Sequence, residues 1–165
     1  MSKKRILFTV FSWVFVAFAV VIIAYFALET GEKSSQTSTG VVDTVIEMLP
    51  NSENITEPQR EVIHISIRQL AHFSIYCMLG FALANAFNTT INSAKIVNVL
   101  LAGAFSVQFS LFDEFVLQLN TVGRGAELKD VITDSLGAVL GIVVFSVLYI
   151  CLSLVIRIFK RKPLK

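Results

Sequence analysis

The sequence predicts an all-α, polytopic membrane protein: four transmembrane helices, both termini cytoplasmic, and a helical extracytoplasmic segment between the first and second spans. Three observations lead there. Of 165 residues, 55% are hydrophobic and only 16% charged, against about 25% charged in an ordinary soluble domain. A chain this short cannot bury that much apolar surface as a water-facing globule, which excludes a soluble enzyme and a disordered chain. Four apolar runs approach the length of about 20 residues needed to cross roughly 30 Å of hydrocarbon. Finally, charge is segregated along the chain.

The first span, residues 6–28, follows a basic start and carries no charge. It exceeds the apolar stretch of about 7 to 15 residues in a secretory signal, so it is expected to stay as an anchor, with cleavage near Ala27 the alternative. Residues 29–69 are too long for a simple turn. Residues 32–40 are polar and lack helical periodicity, so they read as loop. Val41, Val42, Val45, Ile46 and Leu49 then recur at helical spacing opposite Asp43 and Glu47, predicting a short amphipathic helix that ends at Pro50, Asn51 and Ser52. Thr56, Pro58 and Gln59 look like a capped helix start, from which nothing breaks the chain before Asn88. One long helix is therefore expected to enter the second span, residues 70–87. The third span is 96–112, the outer loop 113–135, and the fourth span runs within 136–158, with a clean run over 136–156. Residues 159–165 form a basic tail suited to anionic headgroups.

Nine of the 14 basic residues, Lys3, Lys4, Arg5, Lys95, Arg157, Lys160, Arg161, Lys162 and Lys165, fall on one side of this arrangement, and all 12 carboxylates fall on the other. The positive-inside bias makes the first side cytoplasmic. Cys77 and Cys151 lie in apolar runs without CxxC spacing, so both read as buried small residues rather than a disulfide or zinc pair.

Three helices carry small or polar stripes. His64, Arg68, His72, Tyr76, Gly80 and Ala84 are spaced by four, with His64 expected to be a solvated surface residue. Gly103, Ser106, Ser110 and Asp113 share a face, as do Asp130, Asp134, Gly137 and Gly141. Gly137 and Gly141 form a GxxxG spacing, read as packing within the chain. Because unpaired charges in lipid cost about 2.5 to 3.5 kcal/mol on insertion scales, these stripes should converge. The candidate polar cluster is Arg68, His72, Tyr76, Asp113, Glu114, Arg124, Asp130 and Asp134, with Gln118 beside it. Arg68 and Arg124 are the natural partners for the carboxylates. Two outcomes stand level: an outward pocket that binds a headgroup or envelope molecule, and a salt-bridged plug without a ligand. A metal held by His72, Asp113 and Asp134 is chemically suitable but ranks below ion pairing, so no metal and no cofactor is expected. No nucleotide, nucleophile or nucleic-acid motif is present.

Arg68, His72, Phe73 and Tyr76, followed by Leu79 and Gly80, stand in the spacing Arg-x-x-x-His-Phe-x-x-Tyr. Asp113 and Glu114, Gly123 and Arg124, and residues 130–138 form a second block, and Ser34 and Ser35 a serine-rich stretch. In these residues, over roughly 26–141, the chain resembles the VanZ-like family of small bacterial membrane proteins. It departs in having Ile75 where many members carry a carboxylate, Gln118 five rather than four residues after Asp113 with no accompanying histidine, and Val122 where a proline commonly precedes the Gly-Arg pair. The resemblance implies a four-helix membrane domain in the cell envelope and a link to resistance against the glycopeptide teicoplanin. The leading function is then a non-catalytic plasma-membrane protein whose cluster binds a lipid-linked or cell-wall precursor ligand. The second is an enzyme acting on a headgroup or cell-wall precursor, with His72 as general base and Asp113 or Glu114 tuning it. The third is a small assembly factor or transporter subunit.

Overall fold

The computed structural model describes residues 3–48 and 55–161. Leu49, the stop at Pro50, Asn51 and Ser52, and the basic Lys162 and Lys165 lie outside them. The described residues are helical with no strand: α1 (Lys3–Ala27), α2 (Gly31–Glu47), α3 (Glu57–Thr90), α4 (Lys95–Phe112), a π-helical turn (Asp113–Gln118) and α5 (Leu128–Arg161). Helices satisfy their own backbone groups, which lipid cannot do. Four of them, counting α4 and the π-turn as one, are long and apolar enough to cross a membrane.

α3 is the central helix and packs on the other four. Its start carries the capping box expected from Thr56 and Gln59, with Pro58 in the first turn. At 34 residues and 1.5 Å per residue it is about 51 Å long, well beyond the hydrocarbon thickness of about 30 Å. Its first turns therefore project past the other spans at the end of the bundle that carries α2. There Arg60 pairs with Asp43 of α2.

The tightest seam is between α3 and α5. A Cβ on Gly137 would lie 2.2 Å from the carbonyl oxygen of Phe73, one on Gly141 1.9 Å from that of Cys77, and one on Gly80 2.2 Å from that of Ala138. The GxxxG spacing thus works within the chain, bringing two backbones into direct contact where lipid offers no hydrophobic force to join them. Leu79, Leu83, Phe87, Ala102 and Ile142 fill the core beyond it, with Val16, Ala19 and Ile23 from α1. Outside that core the helices face lipid, and only 11% of the most apolar stretch of α5 is buried in protein. Cys151 lies on this outward face and Cys77 is half-buried, so neither thiol is the buried residue expected, and both are free. At the end of the bundle away from α2, Trp13 Nε1 donates to Thr90 Oγ1 at 2.8 Å and Lys95 stands over the Tyr149 ring.

Two further sequence expectations change. Residues 32–40, expected as loop, belong to α2, which is capped by the Thr30 side chain. Their serines and threonines leave no apolar period to read, because this part of α2 rests on polar neighbours. Ser38 and Thr39 return their hydroxyls to the helix, to the carbonyls of Ser34 and Ser35. Val42 and Ile46 supply the buried apolar contacts further along. The connection expected over 113–135 is a true loop only between the π-turn and α5, since Asp130 and Asp134 lie within α5.

Candidate functional site

All nine residues of the sequence-derived cluster meet at the α2 end of the bundle, in three groups. The innermost joins α3, α4 and α5. Tyr76 donates its hydroxyl to Asp113 Oδ2 at 3.0 Å, and Ser110 donates to Asp134 Oδ2 at 2.9 Å. His72 Nδ1 approaches Asp134 Oδ1 at 3.4 Å. Tyr76, Asp113 and Asp134 are each at most 1% exposed.

The second group closes the loop between the π-turn and α5. Arg124 Nη1 donates to Gln118 Oε1 at 2.9 Å, and Gln118 Nε2 donates to Glu114 Oε2 at 2.6 Å. The other Glu114 oxygen accepts the Glu127 backbone N–H at 2.7 Å. Guanidinium can only donate and a carboxylate can only accept, so the two ends fix which way the Gln118 amide faces. Arg124 Nη2 reaches α2 instead, donating to Ser34 Oγ at 2.6 Å. Burial lowers the pKa of Arg124, and repulsion from Arg68 lowers it further, against the pull of Asp113, Glu29 and Glu114. The third group is the Arg68–Asp130 pair at 3.6 Å.

The expected pairing is therefore met for Arg68 and corrected for Arg124, whose side-chain partners are an amide and a hydroxyl. Gln118 becomes central by the geometry of its turn. Leu119 N bonds to Glu114 O at 3.2 Å, five residues back, and this widened turn brings Asp113, Glu114 and Gln118 all to the interior. His64 is half-buried with an unpartnered Nε2, not the solvated residue expected.

Several contributors carry no signal of their own in the sequence. Ser34 sits in the serine-rich stretch, and Ser110 on the small stripe of α4, but their partners are remote in the chain. Gly31 and Gly123 meet backbone to backbone: Gly31 N donates to Val122 O at 2.9 Å, and a Cβ on Gly31 would lie 2.1 Å from Gly123 O. Gly123 has φ +76°, open to glycine. Glu29, 7% exposed, pairs with Lys33 at 3.2 Å, and this carboxylate raises the pKa of the lysine.

A cavity of about 230 Å³ opens between α1, α2 and α3. Arg68, His72, Tyr76, Asp113 and Arg124 of the cluster line it together with Glu29, Ser34, Thr37 and Ser38, and Ile23, Phe26, Val41, Ile67 and Ile75 supply apolar wall. Such a chamber can take a charged or polar group at one end and an apolar stem at the other. Arg68 and Arg124 also border a second, more polar recess of about 300 Å³ with His64 and Ser38.

A family model described as VanZ/LLP1 matches residues 11–151. No curated protein and no solved structure matches the chain. The matched stretch covers most of α1, the cavity walls, the loop bearing Arg124 and most of α5, so the chain, a multi-pass membrane protein, belongs to the VanZ/LLP1 family.

Proposed function

We propose that this is a bacterial plasma-membrane protein, both termini cytoplasmic, whose cavity binds the headgroup of a lipid-linked or cell-wall precursor and thereby lowers susceptibility to teicoplanin. One observation carries the reading. Five side chains of the cluster, two of them arginines, share one small cavity with Glu29, Ser34, Thr37 and Ser38, and its remaining walls are apolar. At about 230 Å³ the cavity lies below the usual range for drug-sized ligands, about 300 to 1,000 Å³. It suits a headgroup and excludes a glycopeptide, so the effect on the antibiotic is indirect.

The test is susceptibility of a sensitive Gram-positive host expressing the wild type, Arg124→Ala or His72→Ala, with membrane levels checked. Wild type should raise teicoplanin tolerance several-fold and both variants should abolish the rise. Unchanged tolerance in well-expressed variants, or no effect of well-expressed wild type, would defeat the proposal. Orientation has its own check. In a chain with Cys77 and Cys151 replaced by serine, a cysteine at Lys33 should label from outside intact cells, and one at Lys4 only after permeabilisation.

A second reading, an enzyme acting on the bound headgroup, is favoured by His72 lining the cavity with the buried Asp134 in contact with its ring. Full function in His72→Gln would remove acid-base chemistry while leaving binding in place.

A further inference from the structure

We infer that His72, Asp113 and Asp134 are the protein ligands of a divalent first-row metal ion held where α3, the π-turn and α5 meet. One donor atom from each residue lies within 4.8 Å of the others. That proximity alone would fit an ion-paired cluster, which the sequence favoured. The carboxylate oxygens argue otherwise. Each aspartate uses Oδ2 for a hydroxyl, from Tyr76 or Ser110. Oδ1 of Asp113 is buried without a hydrogen-bond partner, and Oδ1 of Asp134, also buried, accepts no hydrogen bond and has only His72 Nδ1 near it at 3.4 Å. A buried carboxylate oxygen left in that state is costly.

No fixed positive charge touches either oxygen. Among the described residues no lysine or arginine pairs with Asp113 or Asp134: Arg68 is taken by Asp130, and Arg124 directs its two terminal nitrogens to Gln118 and Ser34. A divalent cation between the two Oδ1 atoms and the His72 ring would neutralise both aspartates and replace the long His72–Asp134 contact with ligation. One imidazole with two carboxylates suits zinc or manganese. It is unlike the all-oxygen sets of calcium and the thiolate sets of softer metals. Bonds of about 2.0 to 2.2 Å require the donors to draw in by about 1 Å, within reach of side-chain rotation. The Tyr76 and Ser110 hydroxyls then act as outer supports, orienting each aspartate by the oxygen it does not give to the metal. Three protein ligands leave a coordination position open. His72 and Asp113 also line the cavity, so the metal site borders it.

The purified full chain in mild detergent, stripped with a chelator and re-equilibrated with Zn²⁺, is expected to hold one zinc per chain by elemental analysis. His72→Gln, Asp113→Asn and Asp134→Asn should lose it, while Glu61→Gln, on the exposed part of α3, should keep it. Tyr76→Phe should keep the stoichiometry with affinity lowered by about 10- to 100-fold, the effect of removing an outer support. Co²⁺ loading supplies a spectroscopic check, since ligand-field bands in the wild type should vanish in His72→Gln. If an aspartate variant fails to fold by circular dichroism, the half-buried His72 variant decides. Stripped wild type that takes up neither Zn²⁺ nor Mn²⁺, or zinc held with wild-type affinity by His72→Gln, would overturn the site. The metal count needs no antibiotic, so its failure and that of the proposed resistance function are read separately.

Discussion

Gly141→Val is expected to prevent α3 and α5 from closing, with a loss of stability at or beyond the upper end of overpacking effects, about 3 kcal/mol. The reason lies in what the new side chain would strike. A Cβ at this position lies 1.9 Å from the Cys77 carbonyl oxygen and 2.8 Å from the Phe81 nitrogen, both backbone atoms of a helix. No rotamer change can move them, so the helices must part along the seam that also seats Gly137 and Gly80. Parting would carry Asp130 and Asp134 away from Arg68 and His72, and the polar cluster would lose its pairing with the fold. Gly103→Ala is the control, because a Cβ there meets only Ile142 Cδ1 at 4.0 Å. Thermal unfolding of both purified variants in one detergent checks this; equal melting temperatures would show that the glycine seam does not hold the bundle.

Glu114→Ala should release the loop that carries Arg124. Glu114 is fully buried and accepts from the Gln118 side chain and the Glu127 backbone. Hydrogen bonds to a charged group contribute about 1.5 to 3 kcal/mol each, so losing both costs about 3 to 6 kcal/mol, mostly within this loop. The Gln118 amide then has no acceptor to orient it, and Arg124 loses a fixed partner. Trypsin should cut after Arg124 much faster in the variant than in the wild type. Glu114→Gln should fall between the two, since its amide can accept from Glu127 but cannot accept from Gln118 through its nitrogen. A cleavage rate unchanged in Glu114→Ala would mean that the loop is held by other contacts, such as the Gly31–Val122 bond.

The spans were legible because lipid imposes a length and a composition that no other context demands over residues 6–28 or 136–156. The convergence of Arg68, His72, Tyr76, Asp113, Asp130 and Asp134 was legible for a related reason, since helical spacing put each set on one face and the cost of charge in lipid required the faces to meet. What stayed hidden depends on contacts between distant segments. Residues 32–40 have no apolar period, and their helix is supported by the Arg124–Ser34 and Gly31–Val122 bonds, neither visible from local pattern. The partner of Arg124 was misjudged because charge alone favours a carboxylate, whereas the widened turn places Gln118 between the arginine and Glu114. The spacing of Gln118 from Asp113 was visible as a departure from the family pattern, but its structural meaning required the backbone.

That same turn sets which way the end of the third span faces. One added residue in a regular helix rotates everything after it by about 100° and lengthens the rod by about 1.5 Å. In a lipid-embedded segment such an insertion would ordinarily swing a polar face into the bilayer. Here the extra residue is absorbed within a single turn, leaving Asp113 and Gln118 on one side and the following loop in register with α2 and α5. The π-turn thus confines one residue beyond the regular helical repeat to a single place, and it keeps Asp113, Glu114 and Gln118 together in the interior where a regular helix would spread them around its circumference.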